Sequence, residues 1–179
     1  MVQTLQSQVR LSAPMVIQSL FMVVIAASLH AQDFPAPALQ VTPGNDGAFT
    51  LDNVESVTST ETLGLPEHFL FVGNDSAITV PDGDALNQNS FSIAVWVKPD
   101  RGSLAQQKGL LVKSLQTHEQ PWYQWGLFLI DRPDMPTSVA FYLSKQGLLH
   151  QVTIQNVPLY DGWTHLAATH DGGAMRLYV

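Results

Sequence analysis

The chain has 179 residues, of which 45% are hydrophobic and 13% are charged, and its formal net charge is -7. This length and apolar content suffice for one domain with a sizeable core. The acidic balance and the scatter of the basic residues disfavour a nucleic-acid partner, since phosphates require clustered Lys and Arg. The sequence contains no cysteine, which excludes disulfides and zinc–thiolate sites.

The first 31 residues have the pattern of an export signal. Arg10 supplies a positive charge ahead of an apolar stretch at 15–27, and small residues lead up to Ala31. An apolar stretch of about 7–15 residues with these flanks is typical of a signal peptide, whereas a membrane span needs about 18 or more. We therefore predict a signal-peptide helix over 1–31, with a retained N-terminal anchor as the alternative. The pattern indicates a secreted or cell-envelope protein whose mature chain has no membrane span.

Residues 32–65 differ in composition from both of their neighbours. They are rich in Pro, Gly, Thr and Asp, and their few aromatic residues are isolated. This composition predicts an exposed linker or pro-region. The alternation in the stretch "AFTLDNVESV" favours one edge strand within it.

From residue 66 onward the sequence consists of short strand patterns separated by turn residues. "SFSIAVWVK" alternates strictly, and "WTHLAATH" and "MRLYV" flank an Asp-Gly-Gly turn, which is a strong hairpin signal. No segment here has a helical period, so we predict an all-β fold, a sandwich or barrel, over 66–179. Trp96 and Trp163 stand within strand patterns and are predicted to lie in the core.

Two stretches resemble the motifs of a known family: "FVGNDSAITVPDGDALNQNSFSIAVWVKPD" and "DGWTHLAATHDGGAMRLYV". In their order and spacing they resemble the laminin-G-like, concanavalin A-like lectin–glucanase domains, over about residues 69–179. The resemblance implies an antiparallel jelly-roll β-sandwich. Val72 stands where an Asp or Asn is common in that family, and Ala94 where a Glu is common. The loss at Val72 weakens any metal or turn contact that this side chain would make.

The resemblance also implies that the sandwich is incomplete at its C-terminus. Domains of this family continue past the Leu-Tyr-Val strand with several more strands, so we expect the chain to be part of a larger multidomain protein. The stretches "HFLFV" and "MRLYV" are then predicted to be unpaired edges, which promote aggregation. Residues 32–179, expressed alone, are expected to be poorly soluble or oligomeric.

The aromatic stretch "HEQPWYQWG" is the first candidate for a ligand site. Aromatic faces pack on the C–H surfaces of sugars, and amides and carboxylates bind sugar hydroxyl groups. The candidate ligand-binding residues are Trp122, Tyr123, Trp125 and Glu119, with Gln120 and Gln124 as further hydrogen-bonding groups. The alternative is that Tyr123 and Trp125 share one strand face and only pack within the sandwich.

Calcium is the candidate cofactor. Hard cations prefer carboxylate, amide and carbonyl oxygens, which the turns of this chain supply, although no EF-hand loop is present. The residues considered are Asn74, Asp75, Asp82, Asp84, Asn87, Asn89 and Asp171. The resemblance implies one calcium ion in many relatives and favours Asp75 and Asp171 as ligands. The alternative is turn chemistry, in which Asp and Asn bind nearby backbone groups.

Catalytic residues are not expected. The strands after residue 67 carry almost no acids, so no carboxylate pair for glycoside hydrolysis is present, and there is no nucleophile elbow. His165 is interpreted as structural and His170 as a surface residue. We therefore predict a recognition module for a glycan or an extracellular protein. The alternatives are a structural spacer and an accessory domain of a glycoside hydrolase.

Overall fold

The computed structural model describes residues 8–12, 17–27, 39–41, 49–58, 67–71, 76–99, 106–114, 120–132 and 134–179. Most of these residues lie in β-strands. The strands, in chain order, are β1 (Gln8–Ser12), β2 (Ile17–Ala27), β3 (Leu39–Val41), β4 (Thr50–Asp52), β5 (Val54–Thr58), β6 (Glu67–Phe71), β7 (Ala77–Pro81), β8 (Phe91–Pro99), β9 (Gln106–Ser114), β10 (Tyr123–Asp131), β11 (Ser138–Lys145), β12 (Leu148–Gln155), β13 (Thr164–His170) and β14 (Met175–Tyr178). One turn of 3-10 helix, Asp84–Leu86, lies between β7 and β8.

The strands form two antiparallel sheets. Sheet A has the order β12-β11-β10-β9-β1-β7-β4, and sheet B has the order β14-β13-β8-β2-β6-β5, with β3 also paired to β2. The all-β antiparallel sandwich predicted from the strand patterns is confirmed. Within the described residues, no helix has the length and apolar character needed to cross a membrane.

The core lies between the two sheets, and β8 shows why these residues form strands. Its side chains alternate between buried and half-buried along the whole strand, which is the period of two that a pleated strand produces. Removing the buried side chains from water stabilises the stack by about 25 cal/mol for each Å² of apolar surface. The core residues of β8 are Phe91, Ile93, Val95 and Val97, and those from sheet A include Leu111, Leu127, Leu129, Val139 and Phe141.

The same alternation corrects the prediction for two tryptophans. Trp96 lies between two inward residues and therefore faces away from the core, where its ring packs on His165 at a centroid distance of 5.0 Å. Trp163 precedes β13 and is half-buried against the ring of His68, at 5.7 Å. Both rings cover the sandwich from outside instead of filling it, so the prediction that they are core residues is wrong. The structural interpretation of His165 is consistent with this packing on Trp96.

The N-terminal segment forms strands, not the predicted helix. β1 pairs with both β7 and β9, and β2 pairs with both β8 and β6. A continuous apolar run is compatible with a strand in the interior of a sheet as well as with the centre of a signal peptide. Apolarity alone therefore does not distinguish the two structures. Cleavage after Ala31, which lies outside the described residues, stays a prediction.

The sheet edges differ in part from those expected. "HFLFV" is not an edge, because β6 pairs with β2 on one side and with β5 on the other. β14 does end sheet B among the described strands, and Tyr178, its last residue, and Val179 after it are exposed. Residues 50–58 form two short edge strands where one was predicted. Asn53, with a φ of 49°, turns the chain from sheet A into sheet B between them.

Candidate functional site

A cleft of about 420 Å³ opens at one end of the sandwich. Four segments meet there: the connection between β7 and β8, the start of β10, the end of β11, and the turn between β13 and β14. The residues that line the cleft are Asn87, Gln88, Asn89, Phe91, Gln124, Trp125, Leu143, Ser144, Lys145, His170 and Gly172. Its volume lies within the range of roughly 300–1,000 Å³ that is typical of small-ligand sites.

The floor of the cleft is aromatic. The rings of Phe91 and Trp125 come from opposite sheets and pack with a centroid distance of 5.5 Å. Trp125 is only 2% exposed. Its face is therefore covered by the core, and it closes the base of the cleft without offering a stacking surface.

The walls carry side-chain amides. Within the part of the chain that the structure describes, the amides of Asn89 and Gln124 make no hydrogen bond. Gln88, by contrast, donates from Nε2 to the carbonyl oxygen of Asp84 at 2.8 Å. Two lining amides are thus available to a ligand, and each offers both donors and an acceptor.

The remaining wall residues are held in place by backbone groups. Lys145 donates from Nζ to the carbonyl oxygen of Gly172 at 2.6 Å, and the Ser144 hydroxyl donates to the carbonyl oxygen of Tyr123. These contacts connect β11 to the β13–β14 turn and to the start of β10. The end of β11 therefore has a fixed position in the cleft before any ligand enters.

His170 fixes the opposite wall. It was expected at the surface, but it is buried, because it is on the inward-facing side of β13 with Leu166 and Ala168. Its Nδ1 lies 2.8 Å from the carbonyl oxygen of Asn89, and its ring packs on Phe91 at 6.0 Å. The histidine thus ties the loop that carries Asn89 to sheet B.

The other predicted ligand residues are separate from the cleft lining. Trp122 is 47% exposed, with a left-handed backbone at a φ of 65°, which is uncommon for a residue other than glycine. Tyr123 is half-buried and packs on Phe128 at 4.9 Å. Gln120 is exposed, and Glu119 lies outside the described residues.

A close approach explains why β10 contains a glycine. A Cβ on Gly126 would lie 2.4 Å from a ring carbon of Phe128, so the phenyl ring occupies the space that a side chain would need. Phe128 also packs edge-on against Tyr142 at 5.2 Å. Burial raises the pKa of Tyr142, and the nearby Tyr123 raises it further as the smaller of the two causes. Tyr123 therefore belongs to an aromatic cluster on the side of β10 opposite to Trp125.

The laminin-G-type family model of the concanavalin A-like lectin/glucanases superfamily matches residues 72–179. The chain belongs to the concanavalin A-like lectin/glucanases superfamily. No curated protein and no solved structure matches the chain significantly. Laminin-G-type domains of the superfamily are typically binding modules, for carbohydrate or for other interactions.

In this superfamily member, the predicted calcium ligand Asp171 is engaged in its own turn. Its Oδ1 accepts hydrogen bonds from the N–H groups of Ala174 and Gly173, and its Oδ2 from Arg176 at 2.7 Å. These contacts, that of Ala174 above all, hold the pKa of the Asp171 carboxyl well below its usual range. Asp75 and Val72 lie outside the described residues. Within the ranges that the structure describes, no group of three or more His, Asp or Glu side chains could hold a metal ion.

Sequence reasoning named Gln124 and considered Asn89, but it did not place them in one site of this lectin-type domain. The available signal was the amide-rich loop "PDGDALNQN", which was considered only as a source of calcium ligands. Asn89 and Gln124 are far apart in the chain, and the pairing of β9 with β10 and the packing of sheet A on sheet B bring them together.

Proposed function

We propose that this domain binds carbohydrate in the cleft at the end of the sandwich. The observation that supports this most directly is the pair of amides, Asn89 and Gln124, that line the cleft without a protein partner among the described residues. Membership of the lectin/glucanases superfamily supports the same class of ligand. The role is recognition, without a chemical step.

The chemistry of the lining fits a sugar better than a charged or purely apolar ligand. Each hydroxyl group of a sugar donates and accepts hydrogen bonds, and an amide side chain does both as well. Lys145 is the single Lys or Arg among the lining residues that the structure describes, so the cleft has no cluster of positive charge for an anion. Phe91 and Trp125 close the base of the cleft with buried rings, so the polar groups of the walls supply the contacts to the sugar hydroxyl groups.

The proposal includes an extracytoplasmic location and a place in a longer protein. Laminin G-like domains are commonly extracellular, which supports a location outside the cytoplasm. A glycan or a glycosylated extracellular protein is then the expected partner.

We expect Asn89→Ala and Gln124→Ala each to weaken glycan binding about threefold to tenfold, the effect of losing one or two uncharged hydrogen bonds. The full chain would first be screened on a printed glycan array. Isothermal titration with the most strongly retained glycan would then measure the dissociation constant of each variant.

Gln155→Ala is the matched control, because it removes an exposed amide from β12, outside the cleft lining. It should leave the affinity unchanged. Equal affinity for the wild type and both cleft variants would exclude this cleft as the site, and absence of retention on the array would exclude the sugar ligand.

The exposed indole of Trp122 can stack on a part of the ligand that extends beyond the cleft. If it does, we expect Trp122→Ala to weaken the same binding about thirtyfold, because truncating a hot-spot aromatic residue costs about 2 kcal/mol of binding free energy. Tyr178→Ala is the control, because Tyr178 is an aromatic residue of similar exposure, 49% against 47%. An unchanged affinity for Trp122→Ala would limit the site to the cleft itself.

A further inference from the structure

Lys113 is a lysine without any exposure to solvent. It lies on β9 opposite Trp125 and is 0% exposed. A buried charge is costly unless its partners satisfy it fully. The partners of this ammonium all come from one short segment, residues 82–87, which begins the cleft wall.

The ammonium is surrounded by oxygen atoms. Nζ lies 2.8 Å from Oδ1 of Asp82, 2.5 Å from Oδ1 of Asn87 and 3.0 Å from the carbonyl oxygen of Leu86. An ammonium has three N–H donors, and these three oxygen atoms of Asp82, Asn87 and Leu86, here called the cage, supply three acceptors. A carboxylate, an amide and a backbone carbonyl are also the oxygen ligands that a calcium-binding loop supplies.

We infer that the Lys113 ammonium is a built-in cation, which organises the cleft wall as a calcium ion would and makes the cleft independent of calcium. The inference rests on the proposed function only in that the wall belongs to the proposed sugar site. It replaces the expectation of a calcium cofactor at this end of the sandwich. Lys113 is then a positioning residue and does not contact the ligand.

The contacts of Asn87 show how the effect reaches the cleft. Its Oδ1 binds Lys113, while its Nδ2 donates to the carbonyl oxygen of Gly83 at 3.1 Å, so both ends of the amide are held. The backbone N–H of Leu86 donates to the carbonyl oxygen of Gly83 at 2.9 Å and closes the 3-10 turn. The chain leaves this turn directly into Gln88 and Asn89, so their positions depend on the cage.

The test uses the full chain and thermal unfolding. The wild-type Tm should not change with EDTA. It should also not change with about 5 mM CaCl2, a concentration above the dissociation constants of weak extracellular calcium sites. Lys113→Met keeps most of the side-chain volume but removes the cation, and it should lower Tm by about 10 °C because Asp82 loses its buried partner. A wild-type Tm that falls with EDTA, or an unchanged Tm in Lys113→Met, would overturn the inference.

A second variant separates a cation site from ordinary packing. Lys113→Ala empties the cage, so CaCl2 should bind there and raise its Tm by about 5 °C. Lys108→Ala is the control, because Lys108 is also a buried lysine of β9 but lies towards the other end of that strand, with Asp131 as a charged neighbour. Its Tm should not respond to calcium. An identical lack of response in Lys113→Ala would show that the cage is not equivalent to a cation site.

These measurements need no glycan. Their failure would therefore leave the sugar proposal standing, and failure of the glycan screen would leave the role of Lys113 standing.

Discussion

A chain that begins at Gln32 is expected to lose cooperative unfolding and to associate in solution. It lacks β1 and β2, which are interior strands of the two sheets. β1 separates β9 from β7, and β2 separates β8 from β6. Without them, five strands (β3, β6, β7, β8 and β9) lose a partner and expose unpaired backbone groups to solvent, and such edges pair with other chains.

Size-exclusion chromatography and thermal unfolding would measure this. A chain beginning at Gln8 is the control, because it removes only residues that precede β1 and should behave as the full chain does. If the 32–179 chain gives a sharp monomer peak and unfolds in one cooperative transition, then β1 and β2 are not needed for the sandwich.

The same experiment bears on the predicted export signal. Cleavage after Ala31 would remove both interior strands from the chain, so an intact sandwich of this topology and a cleaved leader exclude each other in one molecule. Mass spectrometry of the exported protein would give its N-terminal residue. An N-terminus at Gln32 in a folded protein would require other strands beside β8 and β9.

Phe91→Ala is expected to cost about 3–5 kcal/mol of unfolding free energy, the usual range for removing a buried phenyl ring. Phe91 is 5% exposed at the start of β8, and its ring packs on those of Trp125, Phe141 and His170. The alanine leaves a cavity between the sheets and removes half of the aromatic floor of the cleft. Urea unfolding followed by intrinsic fluorescence would measure the change.

Phe91→Leu is the matched variant, because it keeps an apolar side chain of intermediate volume, and its cost should be clearly smaller. A cost below about 1 kcal/mol for Phe91→Ala would mean that the two sheets can close the cavity by moving together. The floor of the cleft would then not be rigid, and the preformed site described above would be wrong.

Local patterns were sufficient for the strands and for the final hairpin. The alternation in the sequence of β8 predicted a strand because successive side chains of a pleated strand point to opposite faces of the sheet. The Asp-Gly-Gly turn was readable because Gly172, with a φ of 92°, adopts the left-handed backbone that the turn requires. The turn role of Asp171 was one of two alternatives in the sequence, and the structure shows its contacts with Gly173 and Ala174.

Other features depended on contacts between distant parts of the chain. The apolar run at 17–27 fits a leader helix and an interior strand equally well, and the difference lies in whether β8 and β6 are beside it. The cleft combines residues from positions 87–172, and the cage of Lys113 joins β9 to a loop 26 or more residues away. Sequence patterns report the period of one strand, whereas such sites depend on which strands become neighbours.

By itself, therefore, the sequence determined the all-β class, the approximate strands from residue 67 onward and the superfamily, because each of these follows from local periodicity and motif order. Only the tertiary structure decided which strands are interior, which of the tryptophans face the core, and where the amides of Asn89 and Gln124 meet. Those features follow from the packing of one sheet on the other, which brings together residues that are distant in the chain and leaves no signal in any short stretch of it.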